Sequence, residues 1–112
     1  MFTDPEDKTI NGIDVAKWQR TYVVRKTNGY PTSIKDGTMV LTNTSKNLYA
    51  NSPFVDILNT VSEAENSYYT IFTCTNKGII SQGLQINPQE ITWSKLKKIV
   101  ANPAYTLYDY FE

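Results

Sequence analysis

Tyr68-Tyr69-Thr70-Ile71-Phe72-Thr73-Cys74-Thr75, residues 68–75, is the stretch that decides the fold class. It is built almost entirely of β-branched and aromatic side chains, which pack well on a pleated surface and poorly in a helix. A strand repeats every two residues, so Tyr68, Thr70, Phe72 and Cys74 share one face and Tyr69, Ile71, Thr73 and Thr75 the other. The larger rings and the cysteine mark the first set as the expected core face, with Ile71 counting for the second. Immediately downstream, Asn76-Lys77-Gly78 reads as a turn and 79–82 as a hairpin partner. Upstream, the polar run 62–67 reads as a loop, and Pro53 precedes a short apolar run at 54–58.

Further towards the N-terminus, two more strand candidates stand out. Residues 21–26 end at Asn28-Gly29, and 38–42 begin directly after the turn Lys35-Asp36-Gly37. Asn11-Gly12 is a turn signal within an otherwise polar opening. Residues 43–52 are polar, and only Leu48 and Tyr49 are expected to reach a core. Past residue 82 the pattern changes. Asn87-Pro88-Gln89-Glu90 has the form of a capping box, and Trp93, Leu96, Ile99 and Val100 recur at helical spacing, with Lys95, Lys97 and Lys98 as the solvent side. A helix ended by Pro103 is therefore expected, followed by the aromatic tail Tyr105, Leu107, Tyr108, Tyr110 and Phe111.

Composition narrows the function. At 112 residues and 40% hydrophobic, the chain has the size and apolar content of one small globular domain. Its 11 basic and 11 acidic residues cancel, which removes the positive field that nucleic-acid binding calls for. No apolar run approaches the roughly 18 residues of a membrane-spanning helix. The acidic opening Asp4-Pro5-Glu6-Asp7 does not have the form of a signal peptide. Histidine is absent, which deprives the chain of the commonest general base and metal ligand. The single cysteine, Cys74, has no internal disulfide partner and is expected to be a small buried hydrophobe. Together these point away from an enzyme, with no cofactor and no metal.

Several motifs resemble a known family. Val23-Val24-Arg25-Lys26-Thr27-Asn28-Gly29-Tyr30-Pro31-Thr32-Ser33, followed by Asp36-Gly37-Thr38, is similar to a signature of fibronectin type III-like domains in phage tail proteins. Phe54-Val55-Asp56, Tyr68-Tyr69-Thr70-Ile71-Phe72 and Asn76-Lys77-Gly78 resemble later motifs of the same family, and Asp4-Pro5-Glu6-Asp7 the end of its first strand. The resemblance covers residues 2–82. It implies a mainly β protein: an antiparallel β-sandwich over 1–83, with 84–112 as a C-terminal helix and docking or linker segment. It implies a structural or interaction module of a virion (tail tip, baseplate or appendage), with other virion proteins or copies of the chain as partners. It also implies a fuller first strand and a companion domain, so a fragment, or a chain borrowing a neighbour's strand, is expected. The alternatives are a module binding a host-surface glycan and an accessory domain of a secreted enzyme.

The candidate interface residues are Trp93, Leu96, Ile99, Val100, Tyr105, Tyr108 and Phe111, and Tyr30 is the candidate surface contact. Trp18 with Tyr30 could form a sugar-stacking platform, but Trp18 is expected in the core. Tyr68 resembles the tyrosine-corner position, a structural role. Asp4, Glu6 and Asp7 could hold a hard cation, yet a solvated turn is the simpler reading. Asn43-Thr44-Ser45 has the form of a glycosylation acceptor, without meaning in a protein made in bacteria.

Overall fold

The computed structural model describes residues 4–51, 54–86, 91–94 and 97–100. The chain is mainly β. Its elements are β1 (Lys8–Ile10), β2 (Ile13–Ala16), β3 (Trp18–Thr27), β4 (Thr38–Asn43), β5 (Phe54–Ile57), α1 (Val61–Glu65), β6 (Ser67–Thr75), β7 (Leu84–Gln85), β8 (Ile91–Ser94) and β9 (Lys97–Val100). They form a two-stranded hairpin β1-β2, a four-stranded antiparallel sheet ordered β4-β3-β6-β7, and a three-stranded sheet ordered β5-β9-β8.

The expected strands at 21–26, 38–42 and 68–75 are all present within small shifts of their ends, and the apolar run 54–58 holds β5. β3 and β6 are the spine, paired from Trp18↔Thr75 to Thr27↔Ser67 with one irregularity between Trp18 and Arg20. Directly opposed residues of antiparallel strands share a face. Thr21, Val23 and Arg25 therefore stand beside Thr73, Ile71 and Tyr69. This second set carries the core. Val23, Tyr69 and Ile71 cluster there with Phe54 from β5 and Ile86, flanked by Val40, Leu41, Tyr49 and Leu84.

The expectation that Tyr68, Thr70, Phe72 and Cys74 form the core face is thus corrected. The reason is that β6 is covered on both faces, so ring size could not distinguish them. Thr70, Phe72 and Cys74 are buried too, beneath the loop that follows β3 and the segment that follows β6. The Thr70 hydroxyl donates to the Pro31 carbonyl at 2.9 Å, and Tyr30 meets Tyr68 edge-on at 5.1 Å between ring centroids. Cys74 is buried, as expected.

Four local expectations differ from the structure. Residues 62–67 are not simply a loop. Thr60 caps the short helix α1, its hydroxyl accepting from Glu63 N–H at 3.1 Å, while Glu63 accepts from Asn59 N–H at 3.1 Å. The C-terminal helix expected after Pro88 is replaced, at Ile91–Ser94 and Lys97–Val100, by the strands β8 and β9. β9 pairs with β5, and the backbone groups that helix formation would satisfy locally are satisfied across strands instead. The segment 79–82 follows β6 only as an isolated bridge, Cys74↔Ile80, before β7 resumes pairing with Thr70 and Ile71. Leu48, expected to reach the core, is 54% exposed, whereas Tyr49 packs on Phe54 at 5.6 Å. Past residue 83, β7 belongs to the four-stranded sheet and Ile86 to its core.

Two of the turns with positive φ shape the sheet. Asn11 and Gly12 both have positive φ, 53° and 77°, which matches the twist of the β1-β2 hairpin. Gly37 has φ 136°, and a Cβ there would run into the carbonyl oxygen of Arg25. The turn into β4 therefore lies flat against β3.

Candidate functional site

The core face of the four-stranded sheet is apolar in its middle and polar at both ends. At one end the carboxylate of Asp4 is buried, 3% exposed. It accepts from the Thr21 hydroxyl at 2.5 Å and from Asn47 N–H at 2.6 Å, while Asp4 N–H donates to Asn47 Oδ1 at 2.8 Å. The Trp18 indole N–H donates to Thr21 Oγ1 at 2.8 Å, and Asp7 accepts from Trp18 N–H at 2.9 Å. Burial raises the Asp4 pKa, with the bonds from Thr21 and Asn47 and the charge of Lys46 opposing it. Asp4 is therefore neither a solvated turn residue nor part of a cation loop. Its carboxylate ties the N-terminal segment to β3 and to the loop after β4. Asn43 is buried as well, bonded to Ser45 N–H and C=O, and is no accessible glycan acceptor.

At the other end, Asp56 of β5 accepts at one oxygen from both Arg25, at 2.7 Å, and the Tyr69 hydroxyl, at 2.6 Å. Burial raises the Tyr69 pKa, helped by the bond to Asp56 and its charge. For Arg25, burial works against the charged form, but the bond and charge of Asp56 outweigh it and the pKa is raised. Beyond this network the layer opens into a cleft of about 410 Å³. Arg25, Lys26 and Thr27 of β3, Gly37 and Thr38 at the start of β4, and Ser67 of β6 form one wall; Leu58, Asn59 and Glu63 form the other. By register, Thr38 lies opposite Arg25, and Ser67 opposite Thr27, so these four residues share the core face at its open end. Lys26 points to the other face, where it meets Asp36 at 2.8 Å. Its hydrogen bond, with those of Thr32, lowers the Asp36 pKa to about 2.

Neither family models, curated proteins nor solved structures match this chain. The residues must speak for themselves. Tyr30 is half-buried and its hydroxyl donates to the Ile86 carbonyl at 3.0 Å, so its polar atom serves the fold rather than a free surface. Trp18 is half-buried at the edge of the core, not within it. It lies on the core face, whereas Tyr30 covers the opposite one, so the two do not form a common platform. Among the described residues the Tyr68 hydroxyl makes no bond to a backbone group; its neighbour Tyr69 makes the buried hydroxyl bond, and makes it to a carboxylate. Trp93, Ile99 and Val100 lie on β8 and β9, with Ile99 opposite Val55 and Val100 opposite Phe54. Leu96, Tyr105, Tyr108 and Phe111 lie outside the described residues.

Sequence reasoning missed the Arg25–Asp56–Tyr69 network and the cleft, because both depend on β5 lying across the end of β3. Among the described residues no group of three or more His, Cys, Asp and Glu side chains is placed to hold a metal, and no helix is long and apolar enough to cross a membrane.

Proposed function

We propose that this chain is a non-enzymatic structural and interaction module of a phage virion, a fibronectin type III-like sandwich placed in a tail tip, baseplate or appendage. One observation carries the reading. The residues of the signature-like stretch are used on one another: Arg25 on Asp56, Lys26 and Thr32 on Asp36, Tyr30 on Tyr68 and Ile86, Pro31 on Thr70, and Gly37 against the Arg25 backbone. A motif whose polar side chains are each bonded to another part of the fold is the mark of a scaffold. A catalytic motif would leave a nucleophile or base aimed at open space.

Exposed apolar side chains supply surfaces for assembly. Val55 and Ile57 on the outer face of β5 are 37% and 72% exposed, and Ile10 and Ile13 flank the hairpin turn at 54% and 68%. The partners are other virion proteins or further copies of the chain. The test pairs light scattering with localisation. Antibody labelling of purified particles should find the chain in the virion, and the purified protein should self-associate. Replacing Ile10, Ile13 and Ile57 together with threonine should abolish association while leaving thermal melting of the fold nearly unchanged. A protein that is absent from particles and monomeric at every concentration would overturn the proposal.

A further inference from the structure

We propose that the cleft at the open end of the core layer binds a neutral, hydroxyl-rich ligand, a sugar unit. At about 410 Å³ it falls within the size range of small-molecule sites. Charge narrows the class. The charged groups at the cleft are the cation Arg25 and the carboxylates Glu63 and Asp56, the latter bonded to Arg25, while Lys26 carries its ammonium to Asp36 on the other face. One positive group against two negative ones leaves no field to recruit a phosphate or a carboxylate ligand. An apolar ligand is disfavoured too, since Leu58 is the one large apolar residue of the lining.

What remains is hydrogen-bonding capacity of both kinds. A guanidinium carries five N–H donors, and only part of that set is engaged by Asp56 and Tyr69. Glu63 is an acceptor on the facing wall, Asn59 offers both kinds through its amide, and Thr27 and Thr38 bring hydroxyls. Sugar hydroxyls donate and accept at once, which matches a wall of donors opposite a wall with an acceptor. Both key groups are held before any ligand arrives: Arg25 by Asp56 at 2.7 Å, and Glu63 by Asn59 N–H at 3.1 Å. Little side-chain entropy is then lost on binding. The position is distinct from Tyr30, whose hydroxyl is already bonded to Ile86.

The experiment follows backbone amide shifts by NMR on the full chain. Glucose, galactose and N-acetylglucosamine are titrated separately at millimolar concentration, with inorganic phosphate as the anionic arm. A neutral polysaccharide forms a further arm, separating a surface glycan from a free sugar. The expected result is saturable shifts centred on Arg25, Thr27, Thr38, Asn59, Glu63 and Ser67 with at least one sugar or with the polysaccharide, and none with phosphate. Thr38→Val and Glu63→Gln, which preserve shape, should each weaken binding roughly five- to tenfold, as expected for one lost hydrogen bond. Tyr30→Phe should leave it unchanged. Thermal melting of each variant separates lost binding from lost fold. No response to any sugar probe, a response to phosphate at these residues, or shifts centred elsewhere would overturn the proposal.

Discussion

Replacing Tyr69 with phenylalanine removes one oxygen atom from a side chain that is fully buried and changes almost nothing else. That oxygen donates at 2.6 Å to Asp56, a carboxylate that also holds Arg25 at 2.7 Å. A hydrogen bond to a charged group contributes about 1.5–3 kcal/mol net, and Arg25 remains to neutralise Asp56, so no charge is orphaned. Tyr69→Phe should therefore cost about 2 kcal/mol, or a fall in Tm of about 8 °C for a domain of this size. Arg25→Met should cost about 2–3 kcal/mol, at or below the lower end of the range for broken buried pairs, because the Arg25 side chain is 25% exposed. The double variant leaves Asp56 with neither partner, so its loss should exceed the sum of the two by about 1 kcal/mol. Urea unfolding measures all four proteins, and an unchanged m-value confirms that the native state is the one affected. A Tyr69→Phe loss below about 0.5 kcal/mol, or strict additivity in the cycle, would refute the idea that this network holds β5 to the sheet.

Three further outcomes are expected. Thr21→Val strips a partner from both the Trp18 indole and the buried Asp4 carboxylate, and should lower stability by about 2 kcal/mol, read by urea unfolding. Gly37→Ala combines a positive φ with a backbone collision at Arg25, and should cost about 2 kcal/mol or more by thermal melting, unlike Ala at an open loop position. Asp36 has its pKa lowered from 3.8 to about 2 by Lys26 and Thr32, so its contribution is present above 3.8 and lost as pH falls through about 2. The stability difference between wild type and Asp36→Asn, followed by acid titration, should close over that window.

The strands of the four-stranded sheet were legible because alternation and turn residues agree at 21–26, 38–42 and 68–75. Which face of 68–75 carries the core was not. Alternation assigns faces only where one side meets water, and β6 is buried at every residue except the half-buried Tyr68. The α1 helix could have been found from Thr60-Val61-Ser62-Glu63, a capping sequence of the same form as the one credited to residues 87–90. At 91–100 the spacing Trp93, Leu96, Ile99, Val100 fits a helix, but Ile91-Thr92-Trp93-Ser94 also alternates, and pairing with β5 decides between them. The cleft was invisible because the β3 residues of one wall lie some thirty residues from the other wall and are brought to it only by the fold.

The buried carboxylate of Asp56 sits at one end of the core layer and is held from both β3 and β6, which bears on how these two strands find each other. A slip of one residue would turn every side chain to the wrong face and is penalised by apolar burial. A slip of two keeps the faces and would exchange Val23 and Ile71 for other side chains of the same rows, so hydrophobicity penalises it far less. Such a slip moves Arg25 away from Tyr69 along the strand, and Thr21 away from Thr73. The Asp56 carboxylate would then lack one of its two donors, in a region too dry to replace it. In this reading the polar network at that end of the layer acts as an error check on pairing, telling apart two alignments that the apolar middle would accept almost equally.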